Sequence, residues 1–294
     1  MSARLRTRPT LGRAAGLLAA LIGAACWPAG ASAHEHWLQP DAFQADTGRA
    51  VAIGVRVGEG LCGPARPYHA DRTIKFAARL RRSLDLAPLA AEGDTAWTRL
   101  MPADRRGLLV TWESNFVSHR MDGPRFDAYL EEEGLAAPLA ARRAARDTSA
   151  GRERYRRCSK VWIAGPDSDP LRACSAIGMP LEIVPIRLPG ADSVMAVRVL
   201  FMGAPLADAL VRAWRAPLGE SGLPRICVSE PPGPPHVWQG RTNKDGIAWV
   251  PCATPGQWLI GSVHMVKSAD RAQADWESNW ASYGFARPAE SRRR

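Results

Sequence analysis

Short alternating segments, each bounded by glycine or proline, constrain the fold of this chain more than any other feature. The segment RAVAIGVRVG at 49–58 places four branched side chains on one face of an extended strand, namely Val51, Ile53, Val55 and Val57. Seven further short segments, set off by glycine, proline or turns, are also predicted to be strands: GLLVTWES at 107–114, KVWIAG at 160–165, PLEIVPI at 180–186, SVMAVRVLFMG at 193–203, ALVRAWRA at 209–216, GIAWVPC at 246–252 and QWLIGSVHMV at 257–266. Because each strand must bury a face against another layer, the pattern predicts a mainly β fold of the sandwich type.

One helical segment interrupts these strands. Asp122 is suited to cap it, Pro124 fits its first turn, and Gly134 can close it after RFDAYLEEE. The alanine- and arginine-rich residues 136–157 are expected to form a helical or mobile excursion, and the acidic run Glu131–Glu133 is interpreted as solvated.

A turn-rich segment, RLPGAD at 187–192, lies between the earlier strands and a compact later set. It predicts a boundary between two β-rich domains. The first, at 34–188, carries the helical insertion, and the second, at 189–294, is a β-sandwich.

The N-terminus has the order of a secretory signal peptide. Residues 1–13 contain four arginines and no acid, residues 14–27 are apolar, and ASA at 31–33 is a small-x-small cleavage site. We therefore predict a signal peptide at 1–33 and a periplasmic mature protein, with a cut after Ala31 as the alternative. A run of 14 apolar residues is too short to span ~30 Å of hydrocarbon, and no later run is long enough either.

Removal of that leader lowers the formal net charge from +10 to +6. The excess is arginine spread along the chain. An anionic partner is one interpretation, and compositional drift is the one favoured here. Since no dense basic block with interleaved aromatic residues occurs, a nucleic-acid partner is not expected.

Five cysteines follow the leader, and an oxidising compartment makes disulfides the default. Proximity in sequence predicts Cys158 paired with Cys174, and Cys227 with Cys252, although sequence alone does not fix the pairing. Cys62 is then left over, as a buried thiol or a soft metal ligand.

The new N-terminus, HEHWLQP, offers metal ligands. Cleavage after Ala33 gives His34 a free α-amine beside its ring, and His36 shares its strand face because side chains alternate. An amine and two imidazoles suit copper most strongly, then nickel, then zinc or cobalt. Cleavage after Ala31 would instead expose SAH, with a histidine in third position, which also suits copper or nickel. The competing interpretation is a pair of polar residues on an exposed strand.

Several longer motifs resemble a known family: HEHWLQP at 34–40, RFDAYLEEEGL at 125–135, YRRCSKVWIAG at 155–165, GMPLEIVP at 178–185, VLFMGAPLADALVRAW at 199–214, TNKDGIAWVPCATPGQWLIGSVHM at 242–265 and DWESNWASYGF at 275–285. In this order they are similar to the NikM-like family of exported proteins of unknown function. Members are often labelled periplasmic components of cobalt or nickel uptake.

That resemblance implies two β-sandwich domains, Ig-like or transthyretin-like, and a metal partner delivered to a membrane transporter. His264 resembles a histidine that the family often keeps and could complete the site, although a core role is an equal alternative. Cys158 and His119 depart from the family pattern.

Three hypotheses follow from the sequence. The first is an exported protein without catalytic residues that binds nickel, cobalt or copper. The second is a copper enzyme built on an N-terminal histidine brace. The third is a structural or carbohydrate-binding sandwich without metal, in which Trp276 and Trp280 form a sugar platform, although a closing strand packed on the second core is the favoured interpretation of that segment.

Overall fold

A computed structural model describes residues 35–289, except 47, 103–104, 191, 220–221 and 229–235. The predicted signal peptide, both cleavage points and His34 lie outside the described residues. The predicted mainly β fold is confirmed. The strands are β1 (Glu35–Pro40), β2 (Val51–Gly58), β3 (Ala65–Arg66), β4 (Thr73–Arg79), β5 (Ser83–Asp85), β6 (Thr98–Leu100), β7 (Leu108–Ser114), β8 (Val117–Met121), β9 (Gly151–Ile163), β10 (Leu181–Arg187), β11 (Val194–Phe201), β12 (Ala204–Pro205), β13 (Leu210–Ala216), β14 (Trp238–Arg241), β15 (Ile247–Pro251), β16 (Gly256–Lys267) and β17 (Trp276–Arg287).

A nine-stranded sheet occupies the centre, in the order β14-β13-β16-β17-β9-β7-β4-β5, with β8 paired to β9. Strand β17 pairs in parallel with β9, from Trp276 opposite Glu153 to Gly284 opposite Val161. The predicted boundary at 188/189 therefore does not separate two independent sheets. Residues from both sides of that boundary share one hydrogen-bonded layer, since the last strand returns to the N-terminal half.

Each face of this central sheet carries its own hydrophobic core. The first face is covered by β1, β2, β3 and β6, and the second by β10, β11, β12 and β15. Strand β9 contributes to both cores, because Val161 and Ile163 pack on the first face while Trp162 packs on the second. A strand buried on both sides reads as a continuous apolar run, as VWI at 161–163 does.

Two helices lie on the first face beside β1. Helix α1 (Gly123–Glu132) is capped by Asp122, whose carboxylate accepts the Arg125 N–H at 3.0 Å, and Gly134 follows it at a φ of +63°. Both features were predicted. Helix α2 (Ala136–Ala144) is followed by β9, so the expected excursion at 136–157 ends early: residues 151–157 are strand.

These helices pack their apolar faces on β16 and β17. The cluster contains Phe126, Tyr129, Leu130, Leu135, Leu139, Val263, Met265 and Trp276, with Trp280 beside it. The predicted closing strand at 275–285 is confirmed, but its tryptophans pack under the helices rather than on the second core. A third helix, α3 (Pro170–Ala173), is a single turn. None of the described helices is long and apolar enough to cross a membrane.

Candidate functional site

Strand β1 holds the candidate site, because its second residue, His36, is a buried histidine without a partner. The side chain is 2% exposed, and its ring lies edge-on to Trp112, with centroids 6.4 Å apart. Neither Nδ1 nor Nε2 has a hydrogen-bond partner among the described residues. Buried polar atoms are nearly always paired, so an imidazole with two unpaired nitrogens calls for a ligand.

The electrostatic surroundings keep the His36 ring neutral. Burial, and next the positive charge of Arg157, holds the pKa of His36 well below its usual range. A neutral imidazole has one nitrogen lone pair free to bind a metal ion or accept a hydrogen bond. The ring is therefore in the state that metal binding requires.

Glu35 precedes His36 on β1, and both residues line a cavity of about 30 Å³. The cavity also contains Glu133, from the end of α1, and Arg212, whose Nη1 donates to Glu133 at 2.6 Å. Burial raises the pKa of both carboxyl groups to about 7, and in Glu35 the charge of Glu133 adds to this rise. Two carboxyl groups with a raised pKa thus line the same small cavity as His36.

Sequence reasoning missed Glu133 by assigning it to a solvated run. Glu131 and Glu132 are exposed, but Glu133 is buried. The signal was available, since Glu133 lies four residues after Tyr129 and seven after Phe126, on the apolar face of the helix.

His264 does not join His36. It lies on β16 with Trp258 and Ile260 on the second face of the central sheet, and its ring packs edge-on to Phe201 at 4.5 Å. His36 lies over the first face. The proposed three-histidine set is therefore corrected, because side chains at even and odd positions of β16 leave opposite sides of the sheet.

The arrangement of the other possible metal ligands leads to the same conclusion. Within the described part of the chain, no group of three or more His, Cys, Asp or Glu side chains is placed to hold a metal ion. His36 fits a metal site through its unpaired nitrogens, while His34 lies outside the described residues and its donors are not part of that result.

The disulfide prediction was wrong. Cys62 is bonded to Cys227, with their Cα atoms 4.7 Å apart, whereas Cys158, Cys174 and Cys252 are free thiols. Proximity in sequence misled because the loop bearing Cys227 crosses back to the N-terminal sheet, where the Gly63 N–H donates to the Cys227 carbonyl at 3.1 Å.

One cysteine from each predicted pair is instead a core residue. Cys158 and Cys252 are buried, and burial raises the pKa of each thiol to about 12. Both thus act as small apolar side chains. Cys174, at the end of α3, is half-buried.

Sequence reasoning also missed a buried ion pair on the second face. Lys160 Nζ lies 2.8 Å from Glu182 Oε1, and both side chains are 1% exposed. The same carboxylate accepts backbone N–H groups from residues 177–179, and Lys160 also donates to the Ser175 carbonyl at 3.0 Å. Every polar atom of the pair is satisfied, which indicates a structural role.

No curated protein matches this chain. Among solved structures, the D0-D1 domain of Intimin aligns with 84% of this chain and 96% of its own length, at 12% identity and a TM-score of 0.18. That score is too low for a shared fold to follow. The family comparison is more informative: residues 31–266 match the domain of unknown function DUF4198, so this protein belongs to the DUF4198 family.

Proposed function

We propose that this protein is a periplasmic metal-binding protein that handles nickel, cobalt or copper through a site at its processed N-terminus. The observation that carries the proposal is the His36 ring, which is buried and neutral and has both nitrogens unpaired among the described residues. The resemblance to NikM-like proteins supports a role in binding metal and passing it to a membrane transporter.

His34 would supply the remaining donors. Residues 34 and 36 share a strand face in extended chain, so the His34 ring falls on the side of β1 that carries the His36 ring. Cleavage after Ala33 adds an α-amine at the same position. One amine and two imidazoles form a nitrogen-rich set that late divalent transition metals prefer over magnesium or calcium.

Arg157 opposes this site electrostatically. Its charge lowers the pKa of His36, and the same charge disfavours any cation bound to that ring. We therefore expect removal of the Arg157 charge to strengthen metal binding. The prediction is specific, because a histidine that played only a packing role would show no metal affinity for Arg157 to modulate.

Calorimetry of the mature protein with Cu²⁺, Ni²⁺ and Co²⁺ tests the proposal, once N-terminal sequencing has defined the cut. His36→Ala should weaken binding of the preferred metal by about tenfold or more, since losing a ligand costs at least as much as losing its supporting group. His119→Ala is the matched control, because His119 is an exposed histidine on β8. A glycine inserted before His34 tests the amine without altering the core.

Unchanged affinity in both His36→Ala and the extended variant would show that the metal binds elsewhere. Absence of binding by the wild type would remove the proposal altogether. His264→Ala should leave affinity unchanged, because His264 lies on the opposite face of the central sheet.

A further inference from the structure

A second cavity lies on the first face of the central sheet, and Trp112, whose ring contacts His36, forms part of its wall. It has a volume of about 410 Å³, and its walls come from β2, β7, β9 and the loop after β3. Small-molecule sites in proteins span roughly 300–1,000 Å³. We call it the arginine cavity, since its charged wall residues include Arg66, Arg72 and Arg157.

We propose that the arginine cavity binds a small organic oxyanion, a carboxylate or phosphate attached to a flat apolar body. Three guanidinium groups and three aromatic rings converge on one space, and these are the two kinds of surface that such a molecule requires. The site is distinct from the proposed metal site in chemistry and in the residues that would hold the ligand.

The charge of the cavity is uncompensated. Among the residues that the structure describes, neither a salt bridge nor a side-chain hydrogen bond links Arg66, Arg72 or Arg157 to a carboxylate. His69 also lines the cavity, but Glu92 holds its ring at 2.8 Å and balances any charge there. Burial, and to a lesser extent the charge of Arg66, lowers the pKa of Arg157, and an anion in the cavity would offset both effects.

Strand β9 provides an internal comparison for Arg157. Three other arginines of the strand are paired: Arg152 with Asp275, Arg154 with Glu277 and Arg156 with Glu113. Arg157 points to the opposite side, where its guanidinium lies 5.4 Å from the centre of the Tyr155 ring. Arg157 is half-buried. A partly desolvated cation without a carboxylate partner is destabilised, so this arginine, which faces a cavity, is placed to receive an anion.

The aromatic walls complete the argument. The indole N–H of Trp97 donates to the Arg66 carbonyl at 2.7 Å, and that of Trp112 donates to Thr73 Oγ1 at 3.2 Å. Because both indole N–H groups already have acceptors, these rings present only apolar surface to the cavity. A ligand that consisted of the anion alone would leave that surface without a partner.

Calorimetry of the mature, metal-free protein with four probes tests this inference. Phenyl phosphate and benzoate combine an oxyanion with a flat body, whereas inorganic phosphate and acetate lack the body. We expect one of the aromatic probes to bind measurably. The corresponding anion without a ring should bind at least about tenfold more weakly, since burial of a ring contributes more than a factor of ten in affinity. Binding of phenyl phosphate would indicate a phosphate site, and binding of benzoate would indicate a carboxylate site.

Variants then locate the site. Arg66→Gln and Arg72→Gln alter exposed side chains and should each weaken binding about tenfold, the effect of one charge-assisted hydrogen bond. Arg157→Gln should abolish it. Arg120→Gln, an exposed arginine on β8, is the matched control and should bind as the wild type does.

Failure of both aromatic probes to bind would overturn the inference, and so would equal weakening in Arg120→Gln. Either result leaves the metal proposal intact, because Cu²⁺ or Ni²⁺ titration reports on His36 separately. Conversely, loss of metal binding with retained anion binding would overturn only the N-terminal site. Arg157→Gln separates the two proposals most clearly, since it should strengthen metal binding while abolishing anion binding.

Discussion

On the second face of the central sheet, Lys160 and Glu182 are fully buried, and every polar atom between them has a partner. On the first face, His36 is equally buried and its ring nitrogens have none among the described residues. Arg157, on the same face, forms no ion pair with a carboxylate within the described part of the chain, although other first-face groups, such as Glu133 and Arg212, are paired. The contrast is therefore between the satisfied Lys160–Glu182 pair and the unpaired His36 ring.

The difference has a physical meaning. A satisfied buried pair holds the local fold in register, because breaking it would leave a charge without solvent. An unsatisfied buried group lowers the free energy of unfolding, and it persists where a ligand supplies what the fold does not. The Lys160–Glu182 pair is therefore expected to act structurally, whereas His36 is expected to act through a ligand.

The largest effect should come from Lys160→Met. This change leaves the Glu182 carboxylate buried without its counter-charge, although the backbone N–H groups of residues 177–179 remain. We expect the free energy of unfolding to fall by about 3–5 kcal/mol. Urea denaturation followed by tryptophan fluorescence measures it.

An exposed ion pair is the control for that experiment. Asp167→Asn breaks the pair with Arg105 on the surface, where both side chains are more than half exposed. Its cost should be small, because solvent screens an exposed ion pair. A similar cost for both variants would show that the second-face pair is no more structural than a surface pair.

The next largest effect should follow loss of the Cys62–Cys227 bond, which links residues 165 positions apart. Replacing both cysteines by serine should lower stability by about 2–5 kcal/mol. Cys158→Ala and Cys252→Ala serve as comparisons, because these thiols are free and their loss removes only core volume. Non-reducing peptide mapping should recover the Cys62–Cys227 link, and recovery of Cys227 joined to Cys252 would contradict the structure.

Local features of the fold could be read from the sequence, and long-range ones could not. The eight strands inferred from alternation are all present, and Asp122 and Gly134 delimit α1 as expected, because alternation and capping depend on near neighbours. The return of β17 to β9 depends on contacts more than a hundred residues apart, so no local pattern announces it.

The residues of the candidate sites also differ in whether a local sequence pattern could identify them. His36 was found from its i, i+2 spacing to His34, a local feature. His264 was assigned to the same site, but the parity of β16 places it across the sheet. The arginine cavity had no sequence signal, because Arg66, Arg72 and Arg157 come from separate elements and resemble the arginine spread elsewhere.

A pH effect of intermediate size should distinguish the first face. Burial raises the pKa of Glu133 from 4.5 to about 7 in the folded protein, so the folded state binds the proton more tightly than the unfolded chain does. Its stabilising contribution is therefore complete below pH 4.5 and is lost as the pH rises through 7. Across this window the loss should be about 1–3 kcal/mol.

Comparison of Glu133→Gln with the wild type reports this contribution together with its coupling to Glu35, because titrating groups that do not interact with Glu133 cancel in the difference. The variant should gain stability relative to the wild type as the pH rises from 4.5 to 7, measured by urea denaturation at each pH. Glu132→Gln, which alters the exposed neighbour, should show no such trend. If the difference in the free energy of unfolding between Glu133→Gln and the wild type did not change with pH, the Glu133 carboxylate of the wild type would stay ionised beside Arg212.

The smallest effect, and the one that most directly tests the contrast between the faces, is His36→Phe. Phenylalanine keeps a ring against Trp112 but removes two buried nitrogens that have no partner among the described residues. Replacing an unsatisfied polar group by an apolar one of similar shape should raise stability by about 1 kcal/mol in metal-free buffer with chelator. His119→Phe, on the exposed β8, should give no gain.

Added Cu²⁺ or Ni²⁺ should then make the wild type more stable than His36→Phe, because a metal that binds only the folded wild type stabilises it by mass action and leaves the variant unchanged. A variant that is less stable than the wild type without metal would place His36 with the satisfied, structural groups of the second face.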